Sequence, residues 1–122
     1  MNRAVRRVIE WPTERLEAVA EDAGTPAYVI DLDRIRENLE RFQAAFPEAG
    51  IHYAVKANAG AAVLKTLADA GIGAEAASAG EYQRALEAGF APGDLLYTPV
   101  NPPARDFDAV LPGGADLLAI TV

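Results

Sequence analysis

The chain has 122 residues, of which 51% are hydrophobic and 24% are charged, a composition typical of one globular domain. Its formal net charge of -7 argues against nucleic acid and membrane surfaces as partners, because binding to phosphate needs clustered lysine and arginine. Cysteine is absent, which excludes disulfides and thiolate metal sites, and we expect no metal site.

Residues 1–30 predict a leading helix and a short strand. Thr13 can cap a helix over ERLEAVAEDA, and Gly24 ends that helix before Pro26 forbids its continuation. The run AYVI then predicts the strand. The start, MNRAVRRVIEW, has the basic residues of a signal peptide, but Glu10 interrupts its apolar run. We therefore predict a cytoplasmic location.

Residues 31–122 predict an α/β domain in which helices and strands alternate. Asp31 or Asp33 can cap a helix that runs toward Pro47. Strand-like runs follow as IHYAVKAN, IGAEAAS, DLLYTPV and DLLAITV, and helical runs separate them as AAVLKTLADAG, AGEYQRALEAGF and ARDFDAVLPGG. This alternation is typical of parallel strands covered by crossover helices. It leaves open whether the strands close into a barrel or form an open doubly wound sheet.

The segment GIGAEA matches the relaxed pattern of a dinucleotide-binding loop. Its glycines, however, follow a helix and lead into a strand, whereas glycines that bind phosphate follow a strand and open a helix. We interpret Gly71 as a helix terminator and Gly73 as a tight entry into the strand. Ser78 begins SAGE, which predicts a capping box with Glu81.

The last predicted strand, DLLAITV, ends without a covering helix or a polar tail. An uncovered parallel strand is an aggregation hazard. We therefore expect the chain to be the first part of a larger protein.

Lys56 stands near the end of the first strand of this domain. Because side chains alternate along a strand, it should share a face with Ala54 and His52, while Tyr53 and Val55 face the covering helices. Lys56 would then point inward at the carboxyl end of the strand, where α/β folds place their active sites. A buried ammonium is costly, and a desolvated lysine amine suits Schiff-base chemistry. The alternative is a lysine that extends to solvent.

Three other polar residues have simpler interpretations. Glu75 should point inward toward Lys56 from the next strand, either to take part in the chemistry or merely to neutralise the lysine. His52 lies deeper on its strand and is interpreted as a core-layer histidine rather than a catalyst. Lys65 is expected on the solvated face of the following helix.

YAVKAN, followed by AVLKTLADAGIGAEAASAGE, resembles the amino-terminal half of the pyridoxal-phosphate-dependent decarboxylases that act on diaminopimelate, ornithine and arginine. These enzymes are folded like alanine racemase. The upstream GTPAYVIDLDRIRENLERFQAAFP is similar to their first segment, so the resemblance extends from Gly24 onward. It implies that residues 31–122 form about the first half of a (β/α)8 cofactor-binding barrel, and that residues 1–30 form a leading helix and strand.

The resemblance also implies roles for individual residues. Lys56 would form the internal aldimine with pyridoxal 5'-phosphate, and Ala54 would lie beside this cofactor. Glu75 falls where relatives such as the ornithine enzymes carry an aspartate close to the cofactor. The resemblance is closest to the diaminopimelate enzymes of lysine synthesis, which release carbon dioxide from meso-diaminopimelate. It thus implies a carboxy-lyase with a small amino-acid substrate, and a homodimer at full length.

Two alternatives stay open. One is another protein of the same fold, namely an ornithine- or arginine-type decarboxylase, an amino-acid racemase or a small cofactor-carrier protein. The other is a non-catalytic half-barrel. The resemblance further implies a glycine-rich phosphate loop, a ring-stacking histidine, an acid paired with the ring nitrogen and a carboxyl-terminal β domain. We expect these parts beyond Val122.

Overall fold

The computed structural model describes residues 11–113 and 116–117. The chain divides into two compact units, residues 1–30 and residues 31–122. In the described part of the chain, no helix is long and apolar enough to cross a membrane.

The first unit contains helix α1, Thr13–Ala23. The prediction that Thr13 caps this helix is wrong, because Thr13 is already helical and Pro12 occupies the cap position without a side-chain hydrogen bond. Gly24 ends the helix as predicted, with a φ of 77° and its N–H donating to the Ala20 carbonyl at 2.9 Å. The strand predicted for residues 27–30 is not formed, because that run pairs with no neighbour among the described residues, and a strand requires one.

The second unit alternates helices with short parallel strands. The helices are α2 (Leu32–Ala45), α3 (Ala61–Asp69), α4 (Ala79–Ala88) and α5 (Ala104–Val110). The strands are β1 (His52–Ala54), β2 (Gly73–Ala76), β3 (Leu95–Tyr97) and β4 (Asp116–Leu117). Single 3-10 turns span Val55–Ala57, Pro92–Asp94 and Leu111–Gly113.

The strand order distinguishes between the two architectures that the pattern left open. The four strands pair in parallel, in the order β1-β2-β3-β4. In both common doubly wound sheets, the third or the fourth strand pairs with the free edge of the first strand, so the first strand lies between two others. Among the described strands here, β1 has a neighbour on one side only, β2. An unbroken order is what successive units of a (β/α)8 barrel produce. The α/β fold is confirmed, and the order agrees with part of a barrel.

Two helices of the second unit, α2 and α4, begin at caps that the sequence predicts. Asp31 caps α2, since its carboxylate accepts hydrogen bonds from the N–H groups of Asp33 at 3.0 Å and Arg34 at 3.1 Å. At α4, Ser78 Oγ accepts from the Glu81 N–H at 3.2 Å. The Glu81 carboxylate accepts from the N–H of residue 77 at 2.8 Å, one residue before the usual partner of a capping box.

The strands present two faces of different character. Residues of one parity join the helices in the hydrophobic core, and we call them the helix face: Tyr53, Ala74, Ala76, Leu95 and Tyr97. Residues of the other parity lie outside that core, and we call them the open face: His52, Ala54, Gly73, Glu75, Leu96 and, just beyond β3, Thr98. All of the open face except Gly73 is half-buried or exposed.

Candidate active site

Lys56 lies at the carboxyl end of β1, in the middle of the 3-10 turn Val55–Ala57. The expectation that it continues the strand is wrong. The strand ends at Ala54 and Lys56 is exposed. The 3-10 turn redirects the chain toward α3. Its amine is therefore accessible to a ligand.

The turn that carries Lys56 is fixed on both sides. Val55 is completely buried in the core. The Tyr53 hydroxyl donates to the Asn58 carbonyl at 3.2 Å, and the Asn58 side chain accepts from the Gly60 N–H at 2.9 Å. Burial raises the pKa of Tyr53 above its ordinary value. The exposed lysine thus stands on a rigid base.

Sequence reasoning missed both Tyr53 and Asn58 as supports of this turn. Asparagine two residues before glycine is a recognised signal of a turn. Its side chain can accept a hydrogen bond from the backbone N–H two residues further on. The Tyr53 contact has no comparable local signal. It depends on how the chain folds back after the strand.

Glu75 lies on the open face at the middle of β2, and its Cα pairs in register with those of Ala54 and Leu96. Its carboxylate oxygen Oε1 accepts a hydrogen bond from the Thr98 hydroxyl. Within the described residues, no ion pair joins Glu75 to Lys56 at 4.0 Å or less. Glu75 therefore does not neutralise Lys56 through a direct ion pair.

His52 lies at the amino-terminal end of β1, opposite the end that carries Lys56. It is exposed, so the expectation of a core-layer histidine is wrong. Its ring lies against Gly73, where a Cβ would come within 2.6 Å of His52 Nε2 and of the Asp94 carbonyl oxygen. Gly73 is therefore the tight strand entry that the sequence predicts. Its small size lets the ring pack on β2.

Gly71 and Lys65 behave as their patterns predict. Gly71 follows α3 with a φ of 73°, as a helix terminator should. Lys65 is exposed on α3 and pairs with Asp69 at 2.9 Å. Neither residue takes part in the candidate site.

An open cavity of about 460 Å³ lies between α2, β1 and α3. Its walls are mainly apolar and include Ile35, Leu39 and Leu67 from the helices, together with Tyr53 and Ala54 from the strand. Neither Lys56 nor Glu75 lines it. The cavity therefore borders the base of the lysine turn but does not contain the site.

Comparison with known proteins gives a family and a set of relatives. Residues 32–120 match a family model described as the pyridoxal-binding domain of pyridoxal-dependent decarboxylases. The diaminopimelate decarboxylase of Methanothermobacter thermautotrophicus is 46% identical over 87 residues, which cover 68% of this chain and 20% of the relative. That of Aquifex aeolicus is 40% identical over 96 residues, covering 78% and 23% respectively.

Solved structures agree with these matches. The diaminopimelate decarboxylase of Helicobacter pylori complexed with L-lysine superimposes with a TM-score of 0.80 at 31% identity, covering 87% of this chain and 28% of that one. The lysine/ornithine decarboxylase of Vibrio vulnificus with cadaverine gives a TM-score of 0.83 at 24% identity, covering 90% and 30%. The second likeness concerns the fold alone. The chain spans about a fifth to a quarter of the curated relatives.

Proposed function

The chain belongs to the family of pyridoxal-dependent decarboxylases. We propose that it is the amino-terminal part of an enzyme that decarboxylates diaminopimelate, and that Lys56 holds pyridoxal 5'-phosphate. The observation that carries this proposal is an exposed lysine on a rigid turn at the carboxyl end of a parallel strand. That end of the sheet is where barrel enzymes carry out their chemistry. The matched residues 32–120 include the whole of this turn.

The residues present fit such a cofactor. Lys56 offers a primary amine that is accessible to an aldehyde and would hold the group through Nζ. Ala54, half-buried on the open face, leaves room beside it for a flat ring. The Glu75 carboxylate lies next to Ala54 in register and supplies negative charge on the same face. When bound, pyridoxal phosphate supplies an electron sink for the electron pair that remains when carbon dioxide leaves.

The domain organisation is part of the same proposal. Residues 31–122 would be part of a (β/α)8 cofactor-binding barrel, and residues 1–30 a leading segment. Support comes from the division into two units after Ile30 and from the unbroken order of the parallel strands. The homodimer and the cytoplasmic location stay predictions.

The substrate proposal rests on the names of the relatives. Proteins 36–46% identical to this chain are diaminopimelate decarboxylases. The full-length protein should therefore release carbon dioxide from meso-diaminopimelate faster than from ornithine or arginine. Faster release from ornithine or arginine would favour the other decarboxylase type. Inversion of an amino acid without carbon dioxide release would identify a racemase.

The role of Lys56 is tested by Lys56→Ala in the full-length protein, with Lys65→Ala as the matched control on the exposed side of α3. We expect Lys56→Ala to lose the visible absorbance of lysine-linked pyridoxal phosphate and Lys65→Ala to retain it. Borohydride reduction followed by mass spectrometry of the peptides should place the added mass on Lys56. Unchanged absorbance in Lys56→Ala, or the mass on another lysine, would refute the assignment.

A further inference from the structure

Thr98 occupies a fixed position on the open face. Its backbone N–H donates to the Ala76 carbonyl at 2.9 Å, which ties the residue to the end of β2. Its side chain is half-buried, and its hydroxyl donates to Oε1 of Glu75. A β-branched side chain has few rotamers. Thr98 is therefore a donor whose position is set by the sheet.

Glu75 needs such a donor more than a shorter acid would. Its side chain has three rotatable bonds, and three of its neighbours are small: Ala54 on β1, Gly73 on β2 and Ala77 just beyond β2, with Leu96 of β3 on the remaining side. Small neighbours restrict rotamers little, so an untethered carboxylate would sample several positions. The hydrogen bond from Thr98 selects one of them.

The selected position matters because of what lies beside it. Glu75 pairs in register with Ala54, two residues before Lys56, and the turn Val55–Ala57 packs beside β2. The carboxylate is thus held near the base of the lysine turn without closing an ion pair on it. A group placed in this way can act on a bound molecule, whereas a carboxylate paired directly with Lys56 would block the amine.

We infer that Thr98 is a positioning residue, which holds the Glu75 carboxylate beside the site where Lys56 binds the cofactor. This inference rests on the proposed function. The hydroxyl acts through Glu75 and needs no contact with the substrate or the cofactor. Thr98 and Glu75 should then behave as one functional unit.

The test compares Thr98→Val, which keeps the shape and removes the donor, with Thr98→Ser, which keeps the donor, both in the full-length protein. In Thr98→Val we expect kcat for decarboxylation to fall about tenfold with a smaller change in KM, as for the loss of a hydrogen bond to a charged group. Thr98→Ser should recover most of that loss. In the background of Glu75→Gln, Thr98→Val should cause little further loss.

A crystal structure of each variant supplies a readout that does not depend on turnover. The Glu75 side chain should leave its position or become disordered in Thr98→Val and keep its position in Thr98→Ser. An unmoved Glu75 with unchanged kcat in Thr98→Val would overturn the inference, as would a Thr98→Ser variant as defective as Thr98→Val.

The two proposals fail in different ways. Thr98→Val should keep the visible absorbance of lysine-linked pyridoxal phosphate, which only Lys56→Ala removes. If Lys56→Ala retains that absorbance, the proposed function falls. If Lys56→Ala behaves as expected while Thr98→Val changes neither kcat nor the position of Glu75, only the role of Thr98 falls.

Discussion

The helix face and the open face belong to the same strands but are organised by different forces. On the helix face, Ala74, Leu95 and Tyr97 are completely buried against apolar residues of the helices. On the open face, Glu75 and Thr98 are half-buried, and a hydrogen bond between them sets their geometry. The first face is stabilised by packing that this chain supplies itself. The second is arranged by a few polar contacts around an accessible lysine.

This difference separates stability from chemistry along one sheet. Substitutions on the helix face should mainly lower the free energy of unfolding, because they remove buried apolar contacts. Substitutions at Lys56 or Thr98 should mainly change cofactor binding or turnover. A variant that changes both the free energy of unfolding and turnover would identify a residue that contributes to both stability and chemistry.

The largest effect on stability is expected at Leu64, which is 1% exposed on α3 beneath the helix face. Leu64→Ala should lower the free energy of unfolding by about 2–5 kcal/mol, because it leaves a cavity in the core. Urea denaturation of the full-length protein, followed by far-ultraviolet circular dichroism, measures this. Leu111→Ala is the matched control, since Leu111 is 46% exposed. Equal losses in the two variants would show that the helix face is not the core of the domain.

Gly73→Ala tests the point where the open face is as tightly packed as the helix face. The new Cβ would lie 2.6 Å from the Asp94 carbonyl oxygen, which is backbone and cannot rotate away. We expect a loss of about 1–3 kcal/mol in the free energy of unfolding, the usual cost of forced overpacking. Gly93→Ala is the control, because nothing lies within 4 Å of its added Cβ. A neutral Gly73→Ala would mean that the backbone at Asp94, just before β3, can move away from β2.

The sequence predicts the helix face better than the open face, for a physical reason. Helices, caps and terminators depend on residues close in sequence, as at Asp31, Ser78 and Gly71, so their patterns can be read locally. The same alternation identifies which strand residues enter the core. Strand parity also placed Glu75 correctly on the face opposite the helices.

Local patterns failed where the chain leaves regular structure or forms distant contacts. Alternation was extended past Ala54 to Lys56, although the chain enters a 3-10 turn there. The hydrogen bond between Thr98 and Glu75 joins residues 23 apart in sequence. It depends on the register of β2 against β3, which no short motif specifies. The place of Lys56 at the carboxyl end of β1 was thus predictable from the sequence, whereas the contacts around it required the structure.

The smallest expected effect on stability is at Tyr97, which is a titratable residue within the helix face. Burial raises the pKa of its hydroxyl, and the neighbouring Asp106 carboxylate raises it further. The hydroxyl oxygen has no hydrogen-bond partner among the described residues, and the ring packs edge-on against Phe107 with centroids 6.3 Å apart. Tyr97→Phe keeps this ring packing, so it should change stability little at neutral pH.

The difference should appear in alkali. A group whose pKa is raised by folding contributes stability below its unfolded pKa, and that contribution is lost as the pH rises through about 10 toward the folded pKa. The unfolding midpoint of the original protein should therefore fall more steeply between about pH 9 and pH 11 than that of Tyr97→Phe. Tyr28→Phe, at a fully exposed tyrosine, should follow the original protein. Parallel curves for Tyr97→Phe and the original protein would show that the Tyr97 hydroxyl reaches solvent, and that the helix face is less tightly closed than its packing indicates.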